Sequence, residues 1–309
     1  MLPCICKSCL KKLHCFDQRM FSTSILSPLK LPSRMETHLW YVIPNQVKSQ
    51  SLLTQYVDLL SPFEKERVFS IDRDELRKIA LLARVFVRTT ISRYQIHSNV
   101  SPRSLEFKKN AHGKPEVMWQ YSDEWDPPPL HFNISHTSSL IACGVTIGSP
   151  IGIDVEEKKR ELKNNIIAFA KRYFSCEEVN MLCLISDPEV RRREFIKLWT
   201  LKEAYVKALG RGFSEAPFKT FTIRLRSANQ SSEDSKSVIV PLENPTSLTT
   251  NWQFAQVELD GSHYAAICRE NDGLLGGDPM KVIVRKAIPL VEEHVITEVD
   301  SVLPVAGLT

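Results

Sequence analysis

The chain has 309 residues, 43% of them apolar and 25% charged, with a net charge of +4. This composition excludes a disordered or fibrous chain and leaves length for one large domain or two of middling size. Residues 1–35 hold six basic side chains and one acid, a balance of +5, so residues 36–309 sum to −1 and charge gives no reason to expect a nucleic-acid partner.

Residues 1–35 are rich in Lys, Arg and Ser and nearly free of acids, the composition of an organelle transit peptide, expected to be disordered. The reading is a mitochondrial leader, with a plastid leader as the alternative. Met35 opens METHLWYVIP, a second natural start that would give a cytosolic chain. Four of the eight cysteines lie in this leader and four (Cys143, Cys176, Cys183, Cys268) are scattered without metal-ligand spacing, which suggests a reducing compartment. No apolar run approaches the ~20 residues of a membrane span, so neither a membrane nor a nucleic acid is expected as a partner.

LWYVI (39–43) reads as a strand. From Pro62 to Tyr94 apolar residues recur at three and four, which predicts one long amphipathic helix with Arg73, Arg77, Lys78, Arg84 and Arg88 on its other face. A turn-rich KNAHGKPEV (109–117) and an acidic, proline-broken loop (122–130) lead into HFNISHTSSLIACGVTIG, a hairpin, and Gly148 to Pro150 mark a break. IGIDVEE (151–157) is a strand. Ser175 with Glu178 makes a capping box for a helix over 176–186, and Asp187-Pro188 opens the next, which Gly210 closes. FKTFTIRL (218–225), a polar linker and a second hairpin over 252–268, turning on Asp260-Gly261, complete the body.

The two hairpins share a pattern, and each half owns a long helix. The fold class is therefore α+β, two similar halves over 36–150 and 151–270, each a small antiparallel sheet packed with a helix. Residues 271–309 alternate apolar and polar residues and are left either as an added strand or as a mobile end, without a functional reading.

Asp154 and Glu156, two apart on a strand, put both carboxylates on one face, about 6.6 Å apart at Cα. Alone, this pair reads as an exposed strand end. Glu203 alone reads as an i,i+4 partner of Lys207, worth ~0.3 kcal/mol. Three carboxylates from strand and helix together would make a hard oxygen site for Mg²⁺. Gly113-Lys114-Pro115 and Ser135-His136 add a backbone approach, a charge, a hydroxyl and an imidazole suited to an anion. Adjacent side chains on a strand point apart, which argues against Ser135 and His136 as nucleophile and base.

In this order, G-K-P, F-N-I-S-H-T, G-I-D-V-E and W-T-L-K-E-A-Y-V-K resemble the signature of the large, surfactin-synthetase-type 4′-phosphopantetheinyl transferases over residues 36–268. The resemblance implies a pseudo-twofold, two-halved fold. It also implies a Mg²⁺-dependent enzyme that moves the phosphopantetheine of coenzyme A onto a serine of an apo acyl carrier protein, as a monomer. By that likeness Asp154, Glu156 and Glu203 would hold Mg²⁺. Lys114, Pro115, Ser135 and His136, with Arg73 or Lys78 from the first long helix, would serve the 3′-phosphate and its surroundings, and Lys202 and Lys207 the other phosphates. Glu203 and Lys207 would be the catalytic pair, their roles not separable in sequence. A non-catalytic coenzyme A or carrier-protein binding module is the alternative.

Overall fold

Ser61 and Ser175 begin two helices in the same way. Each hydroxyl accepts from the backbone N–H three residues on, and Glu64 or Glu178 reaches back to the cap's own N–H. The computed structural model in which these helices sit describes residues 28–94, 101–119, 129–162, 165–210, 218–219, 221–224, 238–241, 252–270, 280–296 and 302–305.

In chain order, the first half holds β1 (Glu36–Val42), α1 (Gln50–Asp58), α2 (Pro62–Phe69), α3 (Asp74–Ser92), β2 (Glu106–Lys109), β3 (Pro115–Met118), β4 (Leu130–His136) and β5 (Ile141–Ile147). The second holds β6 (Ile151–Glu157), α4 (Ile166–Tyr173), α5 (Cys176–Leu184), α6 (Pro188–Leu209), β7 (Phe221–Arg224), β8 (Val238–Pro241), β9 (Trp252–Leu259) and β10 (His263–Glu270). The C-terminal segment adds β11 (Lys281–Ile288), β12 (Glu292–Ile296) and β13 (Val302–Val305).

One sheet runs β12-β11-β1-β5-β4 and the other β13-β9-β10-β6. The order β1-β5-β4 in the first half is thus repeated as β6-β10-β9 in the second. The repetition extends to buried charge. Arg88 of α3 donates to Glu64 (2.6 Å) and to the carbonyls of Pro102 and Leu105, its guanidinium over the Phe107 ring. Lys202 of α6 bonds Glu178 (2.9 Å) and the carbonyls of Phe218 and Phe221, its ammonium over the Phe221 ring. Glu64 to Arg88 and Glu178 to Lys202 share one spacing of 24 residues. The fold is α+β, built from two similar halves.

Apolar cores lie under α3 in the first half and α6 in the second. A third joins the sheets, where Ile151, Ile153 and Val155 meet Leu39, Tyr41, Leu140 and Ala142. The halves also meet edge to edge: Ile153 N–H donates to Asn133 Oδ1 (2.8 Å) and Val155 N–H to Ser135 Oγ (3.3 Å), so β4 is held to β6 by side chains. In the related seam between β1 and β9, β11 pairs parallel with β1 and β13 antiparallel with β9.

Several expectations change. The single helix over 62–94 is two: α2 ends at Ser70, and α3 starts after Arg73, with Arg77 donating to the carbonyls of Ile71 and Asp72 across the break. Residues 281–288, 292–296 and 302–305 are strands. Glu293 of β12 pairs with both Arg93 and Arg285, whose guanidiniums each lie over the Trp40 ring. Upstream of β1, Leu29 and Leu31 pack on the first core, and Leu29 N–H donates to the Arg93 carbonyl. Residues 1–27, most of the acidic loop and the polar linker from Ser227 lie outside the described residues.

Candidate active site

Gly152 lets α6 lie directly on β6. A Cβ built there would stand 2.0 Å from the Ala204 carbonyl oxygen and 2.2 Å from the Ala208 amide nitrogen, closer than non-bonded atoms come. The approach brings Glu203 and Lys207, one turn apart on α6, over the face of β6 that carries Asp154 and Glu156. A cavity of about 530 Å³ opens there, lined among others by Ser135, His136, Asp154, Glu156, Glu203 and Lys207.

Asp154 is the most enclosed of the acids, 6% exposed. Its Oδ1 accepts from Lys207 Nζ (2.6 Å) and from Ser135 Oγ (2.9 Å). Its Oδ2 is buried with no hydrogen-bond partner, a costly arrangement for a carboxylate. Ser135 Oγ in turn accepts from Lys207 Nζ (3.0 Å) and the Val155 N–H. Burial, followed by the charge of Asp154, pushes the carboxyls of Glu156 and Glu203 each up to about 7. Arg160 pairs with Glu156, and Trp199 hydrogen-bonds the same carboxylate. The His136 imidazole is held below its usual range by partial burial and by Lys207.

Among the described residues no three His, Cys, Asp or Glu side chains converge closely enough in this arrangement to hold a metal ion. The cations explain the spacing, since Lys207 occupies one oxygen of Asp154 and Arg160 holds Glu156. The donor set still fits a hard divalent cation. All three groups are carboxylates, one oxygen of Asp154 lacks a partner, and burial together with Asp154 disfavours the ionised forms of Glu156 and Glu203, which a cation would offset.

The structure does not bring the remaining predicted residues to the carboxylates. Lys202 is the clearest correction. It is 0% exposed, and Glu178, Phe218 and Phe221 take its donors, so it braces α6 against α5 and β7 and has no reach to a phosphate. Lys114 Nζ donates to the carbonyls of Ile151 (2.8 Å) and Lys207 (2.9 Å), at the C-terminal end of α6, and burial lowers its pKa to about 8. With Pro115 it lines a second cavity of about 580 Å³, shared with Trp119, His131 and Phe132 farther along β4. Arg73 is the exposed N-cap of α3 and lines neither cavity.

Sequence reasoning missed Arg160 and Trp199, although the Lys-Lys-Arg run directly after the strand acids was a signal for the first. It also missed a clamp between the halves. His263 Nε2 lies 3.0 Å from both Thr137 Oγ1 and Ser139 Oγ, and Glu157 accepts from Ser138 and Ser139. Because Ser139 gives its hydrogen to Glu157, the bond between Ser139 and His263 requires Nε2 to be the donor, leaving Nδ1 to accept from Ser262. No local signal links residues 124 positions apart.

Comparison with known proteins bears on this geometry. Residues 150–268 match the 4′-phosphopantetheinyl transferase superfamily, and residues 47–146 match 4′-phosphopantetheinyl transferase, N-terminal. The 4′-phosphopantetheinyl transferase Sfp of Bacillus subtilis (strain 168) is 30% identical over 221 residues, 71% of this chain and 86% of the relative. The chain belongs to the 4′-phosphopantetheinyl transferases. A phosphopantetheinyl transferase of Thraustochytrium sp. is 28% identical and covers 77% of this chain and 80% of its own length. HetI of Nostoc sp., also a 4′-phosphopantetheinyl transferase, is 31% identical over 180 residues, 58% of this chain and 71% of its own. As a phosphopantetheinyl transferase the protein is an enzyme, acting on coenzyme A and a carrier protein, and the reading as a non-catalytic module falls away. The two matched segments of this transferase meet between β5 and β6, the joint between the halves.

Proposed function

We propose that this phosphopantetheinyl transferase is Mg²⁺-dependent and transfers the 4′-phosphopantetheine of coenzyme A to the serine of an apo acyl carrier protein in the cavity between α6 and β4. The observation that carries this reading is the convergence of Asp154, Glu156, Glu203 and Lys207 on one cavity. Asp154, Glu156 and Glu203 would hold the cation. Magnesium there would offset the charge that grows on the diphosphate as the phosphoanhydride bond breaks.

The serine oxygen attacks the phosphorus that bears pantetheine, and the bond to the bridging oxygen breaks, leaving adenosine 3′,5′-bisphosphate. Glu203, on the same cavity as the other acids and one turn from Lys207, is the group placed to take the serine proton. Lys207 has given two hydrogens to Asp154 and Ser135, which leaves one for the leaving oxygen. His136 lines the same cavity and serves the phosphates, while Ser135, its hydroxyl engaged with Asp154, Lys207 and Val155, holds those groups in place. The second cavity, with Lys114, Pro115, Trp119 and His131, lies at the other end of β4 and would suit the adenosine end.

Incubation with coenzyme A, Mg²⁺ and several apo acyl carrier proteins tests this directly. The carrier is expected to gain one phosphopantetheine mass, and no gain with any carrier would end the proposal. Glu203→Gln should remove most turnover while the protein stays folded.

We also propose that the protein acts as a monomer and is mitochondrial through its leader. Light scattering and a fluorescent fusion of residues 1–35 test these, and a dimer or a diffuse cytosolic signal would refute them. No helix among the described residues is long and apolar enough to cross a membrane.

A further inference from the structure

We propose that Arg160 is a phosphate-contacting residue of this site, released from Glu156 when a divalent cation takes that carboxylate and then turned onto the diphosphate of the incoming substrate. The inference rests on the functional reading above. It begins with the removal of Lys202 from the set of phosphate contacts, which leaves the cavity short of a cation.

The cavity is lined by four carboxylates, Asp154, Glu156, Glu157 and Glu203, and by two cations, Lys207 and Arg160. With all four ionised it is net negative and repels a diphosphate. One divalent cation neutralises the excess, and it also competes with the two cations for their carboxylates. Lys207 is tied at two points, to Asp154 and to Ser135. Arg160 is tied at one, to Glu156, and its side chain is 44% exposed at the mouth of the cavity.

Its backbone is fixed, while its partly exposed head is held by Glu156. Arg160 N–H donates to the Glu157 carbonyl, closing a turn at the end of β6, and Arg192 of α6 donates to the Lys158 carbonyl in the same turn. A guanidinium keeps its charge at any working pH and offers a planar fork that matches two phosphate oxygens. Carboxylate and phosphate are interchangeable partners for that fork. The exchange of Glu156 for substrate therefore needs only a side-chain rotation.

The experiment compares the wild type with Arg160→Gln and Arg160→Lys in three measurements: Mn²⁺ binding by the enzyme alone, steady-state transfer with coenzyme A varied, and thermal melting. Loss of a charged hydrogen bond of ~1.5–3 kcal/mol lowers kcat/KM for coenzyme A roughly 10- to 100-fold in Arg160→Gln, with Arg160→Lys between. Mn²⁺ binding moves the other way and tightens severalfold, because Glu156 has lost its competitor, and melting stays within a few degrees.

Transfer within twofold of wild type, or Mn²⁺ affinity and transfer falling together, would overturn the proposal. If the wild type proves to turn over without any divalent cation, the Mg²⁺ reading fails separately. Arg160 then stands on the rise in KM for coenzyme A alone, and an unchanged KM overturns it.

Discussion

Lys207 Nζ lies 2.6 Å from Asp154 Oδ1, an ion pair that joins the long helix of the second half to the strand beneath it inside the candidate active site. The ammonium therefore does two jobs, holding Asp154 and presenting its remaining hydrogen to the cavity. Lys207→Met removes a donor aimed at charge that develops during the reaction, so kcat should fall roughly 100-fold or more with little change in KM for coenzyme A. The opposite split, a raised KM with kcat intact, would mean that Lys207 only helps to bind the substrate. The variant should also lose about 1–3 kcal/mol of stability, since Asp154 is left buried with Ser135 as its one side-chain partner.

Lys202 stands one residue from Glu203, yet its role is in the fold. Lys202→Met leaves Glu178 charged and unpaired among Phe174, Phe221 and Ser175, at a cost of about 3–5 kcal/mol in denaturant unfolding. Glu178 also accepts from the Ser175 and Ile223 amides, so an apolar residue at 178 would not restore the loss. The folded fraction should keep its KM for coenzyme A. A KM raised tenfold in well-folded protein would return Lys202 to the phosphates.

What was legible in the sequence was local or repeated. The Ser175-Glu178 box, the Asp187-Pro188 start, the left-handed Gly210 at the end of α6 and the Asp260-Gly261 turn, both residues at positive φ, each depend on residues within four positions. Strand and helix periods put Asp154 with Glu156, and Glu203 with Lys207, on shared faces, but alone they read as an exposed strand end and a surface ion pair; the three acids taken together, with the ordered motifs around them, pointed to one site. Lys202 was misread because the same motif supplies a buried brace and an open acid at adjacent positions, and only Glu178, 24 residues upstream, separates the two roles. The break between α2 and α3 was hidden because Ile71 and Arg73 keep the apolar and basic pattern while Arg77 binds the carbonyls across the gap. The parallel pairing of β11 with β1 joins residues some 245 positions apart, beyond any local signal.

Gly152 sets the distance between α6 and β6, and Gly152→Ala tests that geometry without changing a polar side chain. The added methyl meets α6 backbone, which cannot rotate away as a side chain does. The helix must shift, carrying Glu203 and Lys207 with it. Stability should fall by about 1–3 kcal/mol. Transfer should fall further than the folded fraction does, roughly tenfold or more, because the proposed catalytic groups are displaced from Asp154. Activity that tracks the folded fraction would show that the site tolerates the shift.

If the cation sits on these carboxylates as proposed, Glu156 and Glu203 make the response to Mg²⁺ depend on pH. Each is raised from 4.5 to about 7 in the fold, so between those values the native state holds protons that the unfolded chain has released. Their contribution to stability is therefore present below pH 4.5 and lost as pH rises toward and through 7. Mg²⁺ needs the ionised carboxylates and compensates their mutual repulsion with Asp154, so it restores at high pH what deprotonation removes. Melting curves with and without Mg²⁺ should diverge as pH rises from 5.5 to 8, the metal raising the melting temperature most at pH 8. In Glu203→Gln one of the two titrating groups is gone, and both the metal-free slope and the Mg²⁺ effect should shrink. A Mg²⁺ shift as large at pH 5.5 as at pH 8 would place the cation on other ligands.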